Sequence, residues 1–266
     1  MSIPSTAPQV IAVVNQKGGV GKTTTAINLA TAMAACDKRT LLIDFDPQGN
    51  ASTGLGIPAS ARKLTSYELL LEETDAASAI VATEVPLLSV IPANVDLSAI
   101  DVELSNVDAR EFILKKKLEA IKDQYDFIFI DCPPSLGLLT VNALVAADSL
   151  LIPLQCEFFA LEGLSHLLHT VERIQRRLNP TLHIHGIVLT MYDRRNRLTE
   201  QVEADVRAFL KDSVYQTVIP RNVRISEAPS HGKPAIIYDL RCPGSQAYLN
   251  LAREVLNRKA EQKLAA

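Results

Sequence analysis

The sequence lacks the features that mark several protein classes. It has 266 residues, with no tryptophan, four cysteines and only 5% aromatic residues. The cysteines are widely spaced and include no Cys-x-x-Cys pair, which argues against a disulfide framework and against a zinc or iron–sulfur site. No window reaches the ~20 apolar residues of a membrane-spanning helix, and Met1–Pro8 shows no charged-then-apolar signal pattern. We therefore expect a cytoplasmic protein.

A strong excess of basic residues is also missing. The chain has 27 lysines and arginines against 30 acidic residues, a formal net charge of -3. This balance excludes a protein that coats nucleic acid through its overall charge, so any such binding must come from a local patch. Hydrophobic residues make up 47% of the chain, which is enough to bury one large core.

Short apolar runs alternate with amphipathic stretches along the chain. The runs predict strands buried on both faces: Val10–Asn15, Thr40–Asp46, Leu88–Pro92, Phe127–Asp131, Ser149–Leu154, Ile184–Met191 and Val218–Pro220. Apolar residues at three-to-four spacing predict helices: Thr23–Ala35, Glu111–Lys122, Leu161–Leu178 and Thr199–Lys211. The alternation predicts an α/β fold, a single-domain doubly wound, mostly parallel β-sheet flanked by helices. We place this domain at residues 10–256, between a disordered tail (1–9) and a fraying tail (257–266).

A glycine-rich loop, Gln16–Thr24, follows the first predicted strand and opens the first predicted helix. Its glycines let backbone N–H groups turn inward around phosphate oxygens at a helix N-terminus. Lys22 is placed to reach the β- and γ-phosphates of ATP, Thr23 to bind Mg²⁺ and Thr24 to contact the α-phosphate. The usual phosphate-binding pattern has glycine where Gln16 stands. The residues predicted to bind the nucleotide are Gly18, Gly19, Val20, Gly21, Lys22, Thr23 and Thr24.

Three aspartates stand at the ends of predicted strands, where a doubly wound sheet binds its ligands. Alternation along the strand places Asp44 and Asp46 on one face, and Asp131 follows four apolar residues in the form of a Walker B strand. Carboxylates beside a triphosphate repel it unless a cation is present. The sequence therefore predicts Mg²⁺ near these groups, with Asp131 binding it directly or through water. A cap on the following segment is the alternative for Asp46.

The run Lys17–Thr23 resembles the deviant Walker A motif of the ParA/MinD ATPase superfamily. In that superfamily the extra lysine crosses a dimer interface to the partner's phosphates, and the matching second aspartate orients or activates the attacking water. The resemblance implies an ATP-dependent homodimer in which Lys17 acts in trans beside Lys22. It also implies that Asp46 is catalytic and that Asp44 supports the metal. Without the resemblance, Lys17 would be a solvated surface charge or would serve a neighbouring subunit.

Further stretches resemble the chromosomal ParA/Soj branch: Asp46–Asn50, Pro153–Leu164, Leu189–Arg195 and Val218–Gly232. ParA proteins of this kind bind DNA non-specifically as ATP dimers and are released when a ParB partner stimulates hydrolysis. The resemblance thus implies a chromosome- or plasmid-partitioning ATPase that associates with the nucleoid. It also implies that Pro220 and Arg221 flank the adenine.

Arginines follow the last two predicted strands, so they should lie at one edge of the sheet. Doubled by dimerisation, they would bind the phosphates of double-stranded DNA without reading its sequence. Solvated surface loops are the alternative. If Arg221 binds the nucleotide, the DNA-binding residues are Arg194, Arg195, Arg197 and Arg224.

Two other functions remain open at this point. A MinD-like membrane-positioning ATPase would share the phosphate loop and the aspartates, but it needs a C-terminal amphipathic helix. Asn257–Ala266 offers Leu264 as its only large apolar residue, so we predict no membrane partner. A metabolic ATP-dependent enzyme would need a substrate pocket that no motif specifies.

Overall fold

The computed structural model describes residues 7–71 and 74–265, with side chains through Arg258 in the last helix. In these ranges the strands are β1 (Gln9–Val13), β2 (Thr40–Asp44), β3 (Val81–Ala82), β4 (Leu88–Ile91), β5 (Phe127–Asp131), β6 (Ser149–Gln155), β7 (His183–Tyr192) and β8 (Val214–Pro220). They form one sheet in the order β3-β4-β2-β5-β1-β6-β7-β8. Every pair is parallel except β3 and β4.

The α-helices of the same ranges are α1 (Lys22–Ala35), α2 (Asn50–Gly54), α3 (Ser66–Leu71), α4 (Ile100–Glu103), α5 (Ile113–Glu119), α6 (Leu138–Ala146), α7 (Ala160–Arg177), α8 (Arg197–Leu210), α9 (Val223–Glu227), α10 (Ala235–Tyr238) and α11 (Pro243–Ala265). None of these helices combines the length and the apolarity that a bilayer crossing requires.

Two apolar layers cover the sheet. One contains the buried faces of α1 and α11, and the other contains those of α5 to α8. Strand alternation divides the side chains between the layers, so that Ile11 and Val13 face α1 whereas Val10 and Ala12 face the opposite side. Because both faces are covered, β1, β2 and β5 are buried at every position, which explains why they read as continuous apolar runs.

The strand order creates a crevice at the centre of the sheet. The neighbouring strands β1 and β5 lead into α1 on one face and α6 on the other. Their connections diverge at the carboxyl ends, and ligands of doubly wound sheets bind at such a switch point. The glycine-rich loop and Asp131 both lie there.

The predicted fold class is confirmed. Each predicted strand is present, although β8 begins four residues before the predicted Val218–Pro220 run. The two-residue strand β3 was not predicted, and α5 covers only the middle of Glu111–Lys122. The predicted tail 1–9 lies largely outside the described residues. At the other end, α11 continues to Ala265, through the segment predicted to fray.

Candidate active site

The glycine-rich loop joins β1 to α1 through backbone conformations that favour glycine. Gly19 and Gly21 have φ angles of 76° and 88°, a left-handed region that other residues enter only with strain. Gly21 stands directly before α1, and no side chain caps this end of the helix. The first N–H groups of α1 therefore face the crevice as an anion-binding site.

Two hydrogen bonds from distant parts of the chain fix the loop. The hydroxyl of Thr190, on β7, donates to the carbonyl of buried Val20 over 2.7 Å. Asn15 donates to the carbonyl of Pro153, on β6, over 2.8 Å, and its side-chain oxygen accepts the N–H of Lys17 at 3.0 Å. Neither Asn15 nor Thr190 was expected at the site from the sequence. No local pattern marks the bonds to Pro153 and Val20, because these residues are distant in the chain from their donors.

Lys22 lies inside the loop. Its Nζ donates to the carbonyl of Lys17 over 3.1 Å, and the residue is only 7% exposed. Burial lowers the pKa of this ammonium group, an effect that the carboxylate of Asp131 partly offsets. A phosphate bound at the loop would add a negative charge close to this ammonium group and favour its charged form.

Asp131 is a fully buried carboxylate that lies near the Thr23 hydroxyl but accepts no hydrogen bond of ordinary geometry from the described residues. Burial raises its pKa well above the usual range, and the neighbouring Asp44 raises it further, whereas the nearby Thr23 hydroxyl lowers it in part. Buried carboxylates without donors are rare, and oxygen ligands of this kind suit Mg²⁺. The predicted metal-binding residues Asp131 and Thr23 thus fit this ion.

Asp44 stands opposite Asp131 in the register of β2 and β5, but its carboxylate is satisfied. Oδ2 accepts the N–H and the hydroxyl of Ser52 at 2.8 and 2.6 Å, and Oδ1 accepts the N–H of Asp46 at 3.3 Å. Burial still raises the pKa of Asp44 to about 6. Asp44 therefore anchors α2 beside the site, which suits the supporting role predicted for it. Ser52 was not foreseen.

Asp46 lines a cleft of ≈ 270 Å³ together with the glycines of the loop, Lys22, Thr23 and Thr24. Its Oδ1 accepts the N–H of Gln48 at 2.9 Å, which fixes the orientation of the carboxylate. The structure thus brings Asp46 to the same cleft as the predicted phosphate-binding residues.

A second cavity of ≈ 220 Å³ continues from this cleft and shares Gly21, Thr24 and Met191 with it. Pro220 and Arg221, predicted to flank the adenine, line this cavity. The pair of cavities has room for phosphates at one end and a base at the other. Other residues that line the second cavity were not predicted from the sequence: Ile219, Asn222, Ile225, Ser226, Pro229 and Tyr248.

The predicted DNA-binding arginines follow the carboxyl ends of β7 and β8, of which β8 is the edge strand, but two of them are paired with carboxylates. Arg195 forms two bonds of 2.9 Å to Asp193, and these bonds lower the pKa of Asp193 to about 2. Arg224 contacts Glu227 at 3.0 Å and Asp239 at 3.6 Å. Among the described residues, Arg194 and Arg197 form no ion pair. The net positive charge of this surface is therefore smaller than the number of its arginines indicates.

Comparison with known proteins identifies a matching family model and similar proteins from other organisms. A family model described as an AAA domain matches residues 8–184. The chain is 59% identical over 260 residues to the chromosome partitioning protein ParA of Caulobacter vibrioides (strain NA1000 / CB15N), covering 97% of each chain. It is 55% identical over 247 residues to the sporulation initiation inhibitor protein Soj of Bacillus subtilis (strain 168), covering 93% of this chain and 98% of Soj.

A solved structure shares the fold. It is described as cobyrinic acid a,c-diamide synthase from Mycobacterium smegmatis with bound ATP analogue and magnesium, and it superposes with a TM-score of 0.82 at 35% identity, covering 94% of each chain. Two relatives named for chromosome partitioning are considerably more similar in sequence: ParA of Caulobacter vibrioides at 59% identity and the ATPase Soj of Treponema pallidum (strain Nichols) at 54% identity over 249 residues. With the phosphate loop and the aspartates in place, the resemblance noted from the motifs is confirmed. The chain belongs to the ParA/Soj family of chromosome-partitioning ATPases.

Proposed function

We propose that this chain is a Mg²⁺-dependent ATPase that segregates chromosomes or plasmids. It dimerises on binding ATP, binds double-stranded DNA non-specifically in that state, and hydrolyses ATP when a ParB-type partner stimulates it. One observation carries the proposal. Lys22, Thr23 and Asp46 line one cleft, and Asp131 lies close by without a hydrogen bond of ordinary geometry from the described residues. The second lysine of the loop, Lys17, pairs with Glu157.

The residues around the cleft have separable tasks. The N-terminus of α1 and Lys22 bind phosphate oxygens, and Thr23 and Asp131 would hold Mg²⁺, with Asp44 supporting them. The ion, when bound, neutralises charge on the phosphates. Asp46, oriented by the N–H of Gln48, positions the attacking water. Because phosphoryl transfer depends mainly on positioning and electrostatics, this set is sufficient for slow hydrolysis.

Lys17 completes the site from a second copy of the chain. One ammonium group, on Lys22, already serves the loop within each chain. A lysine from the facing copy would add positive charge on the side of the phosphates that this chain leaves open, in the manner of a residue supplied in trans. Hydrolysis faster than this slow rate then requires a dimer.

The proposed DNA contact is made by the arginines that follow β7 and β8, here called the arginine edge: Arg194, Arg195, Arg197 and Arg224. Arg194 and Arg195 line a groove of ≈ 690 Å³ beside β8, and Arg224 lies on the short helix that follows β8. DNA phosphates would compete there with Asp193 and Glu227 for the arginine side chains. Such a contact is moderate in strength, depends on salt and is independent of base sequence.

A binding experiment tests the function. Binding to a random-sequence duplex and to anionic liposomes is measured with ATP, with ADP and without nucleotide, at two salt concentrations. We expect binding to the duplex only with ATP, and weaker binding at higher salt. Liposome binding without DNA binding would favour a membrane-positioning ATPase, and failure of both would favour a metabolic enzyme.

Replacement of Arg195 and Arg224 by Glu tests the arginine edge. A dimer loses four phosphate contacts, so the slope of log affinity against log salt should fall in magnitude by about 3.6, with ATP-dependent dimerisation retained. Arg176→Glu is the matched control, because Arg176 is an exposed arginine paired with Glu172 on α7. An unchanged slope in the double variant, or an equal change in the control, would contradict the assignment.

A further inference from the structure

Lys17 is engaged within its own chain. Its Nζ forms an ion pair with the carboxylate of Glu157, while its N–H and carbonyl bond to Asn15 and Lys22 at 3.0 and 3.1 Å. The side chains of Lys17 and Glu157 are 42% and 44% exposed. The pair therefore lies at the surface, where a second molecule can reach it.

Glu157 is followed directly by two exposed aromatic residues. Phe158 and Phe159 are 76% and 64% exposed, and their rings pack edge to face with centroids 5.1 Å apart. The segment joins β6 to α7. Two adjacent phenylalanines in solvent are characteristic of a contact surface, and here they adjoin the lysine that the proposed function assigns to a second copy.

We propose that Glu157 is a positioning residue that holds Lys17 within its own chain, and that a second copy docking on Phe158 and Phe159 releases it. The inference rests on the proposed trans role of Lys17. A lysine paired with its own Glu157 is not available to the phosphates of another chain, so dimer formation must first break this ion pair. The triphosphate of the facing copy, with several negative charges, replaces the single carboxylate as the partner of Lys17.

The expected effect follows from the exposure of the pair. A surface ion pair favours the paired state by ~1.4- to 5-fold. A symmetric dimer breaks two such pairs, one in each chain, so the factors multiply to ~2- to 25-fold in the dimerisation equilibrium. A contact of this strength opposes dimerisation of the ATP-bound chains without preventing it.

The test measures the dimer dissociation constant by analytical ultracentrifugation with Mg²⁺ and a non-hydrolysable ATP analogue. Glu157→Gln should lower the constant by ~2- to 25-fold, with the analogue's affinity for monomer unchanged. Glu172→Gln is the matched control, since it removes an equal charge from another exposed ion pair, formed with Arg176 farther along α7, and it should leave the constant unchanged. In a Lys17→Gln background, Glu157→Gln should have no effect.

The other outcomes are separable. Weaker dimerisation of Glu157→Gln would mean that Glu157 stabilises the interface, and an unchanged constant would mean that the ion pair does not oppose dimerisation; either overturns the inference. Phe158→Ser should weaken dimerisation, and the effect should be at least as large in the Glu157→Gln background as in the wild type. If dimerisation is not weakened, Phe158 and Phe159 are not the docking surface. Wild-type chains that remain monomeric with the analogue would instead contradict the proposed function itself.

Discussion

Asp131 allows a prediction in which one substitution has opposite effects with and without the ligand. Its carboxylate is fully buried and receives no hydrogen bond among the described residues. In the absence of Mg²⁺ this charge destabilises the native state, whereas in its presence the same charge binds the ion. Asp131→Asn should therefore stabilise the metal-free protein and remove most of the stabilisation that Mg²⁺ and ATP provide.

The magnitude follows from the burial. An unsatisfied buried polar group costs about 1–3 kcal/mol, and more when it is charged, so replacing the carboxylate by a neutral amide should gain about 2 kcal/mol. At roughly 2–4 °C per kcal/mol for a domain near this size, Tm should rise by about 4–8 °C. A ligand at a hundred times its Kd adds about 2.7 kcal/mol to the wild type, but only a small part of this to the variant.

The gain should also depend on pH. In the native state, burial raises the pKa of Asp131 above the value of about 4 that it has when unfolded. The wild type therefore loses stability as pH rises from the unfolded pKa to the folded one, because over that range the unfolded chain releases a proton that the native state retains. The advantage of Asp131→Asn should be absent in acid and full above the folded pKa.

The assay is thermal unfolding in EDTA and with saturating ATP and Mg²⁺. Asp126→Asn is the matched control, because Asp126 precedes the same strand but accepts bonds from Arg39 at 2.9, 3.2 and 3.3 Å. That variant should be destabilised in EDTA and should keep the full ligand increment. A lower Tm of Asp131→Asn in EDTA, or an undiminished increment with ATP and Mg²⁺, would refute the reasoning.

Two further predictions concern the neighbouring strand. Asp46→Ala should retain ATP binding and dimerisation but lose phosphate release, since it removes the group that positions water; a normal turnover rate would exclude Asp46 from catalysis. Ser52→Ala removes the 2.6 Å donor to Asp44 and leaves the N–H of Ala93 without its 3.0 Å acceptor, so the free energy of unfolding should fall by about 2–4 kcal/mol in urea titrations. Ser98→Ala, at an exposed hydroxyl, should change it by less than about 0.5 kcal/mol; similar losses in both variants would contradict this account.

The parts of the site that could be predicted from sequence are those with a local signature. The loop Gln16–Thr24 can be predicted because its glycines and lysines follow a strand at a fixed spacing. Asp44 and Asp131 are visible because each ends a continuous apolar run. Tertiary contacts have no such signature: Thr190 bonds to Val20 across 170 positions of the chain. The residues that hold the site in place through such contacts can therefore be identified only from the structure.

The arginines that follow β7 and β8 differ from these supporting residues, because the acidic partners of two of them are close in the sequence. Arg195, which is predicted to bind DNA, pairs with Asp193, two positions earlier in the chain. Arg224 likewise precedes Glu227 by three positions on one short helix, a spacing at which side chains meet. An estimate of charge over each short segment, rather than of arginines alone, would have predicted a weaker patch.

The difference between Asp44 and Asp131 has a cause in the residues that follow each strand. After β2 the chain turns into α2, whose Ser52 donates both its N–H and its hydroxyl to Asp44. After β5 come Pro133 and Pro134, which have no N–H group to donate. The carboxylate of Asp44 is thus satisfied, whereas that of Asp131 accepts no hydrogen bond of ordinary geometry from the described residues. A cation should therefore stabilise the carboxylate of Asp131 more than that of Asp44. The loss of Mg²⁺ affinity should accordingly be greater for Asp131→Asn than for Asp44→Asn.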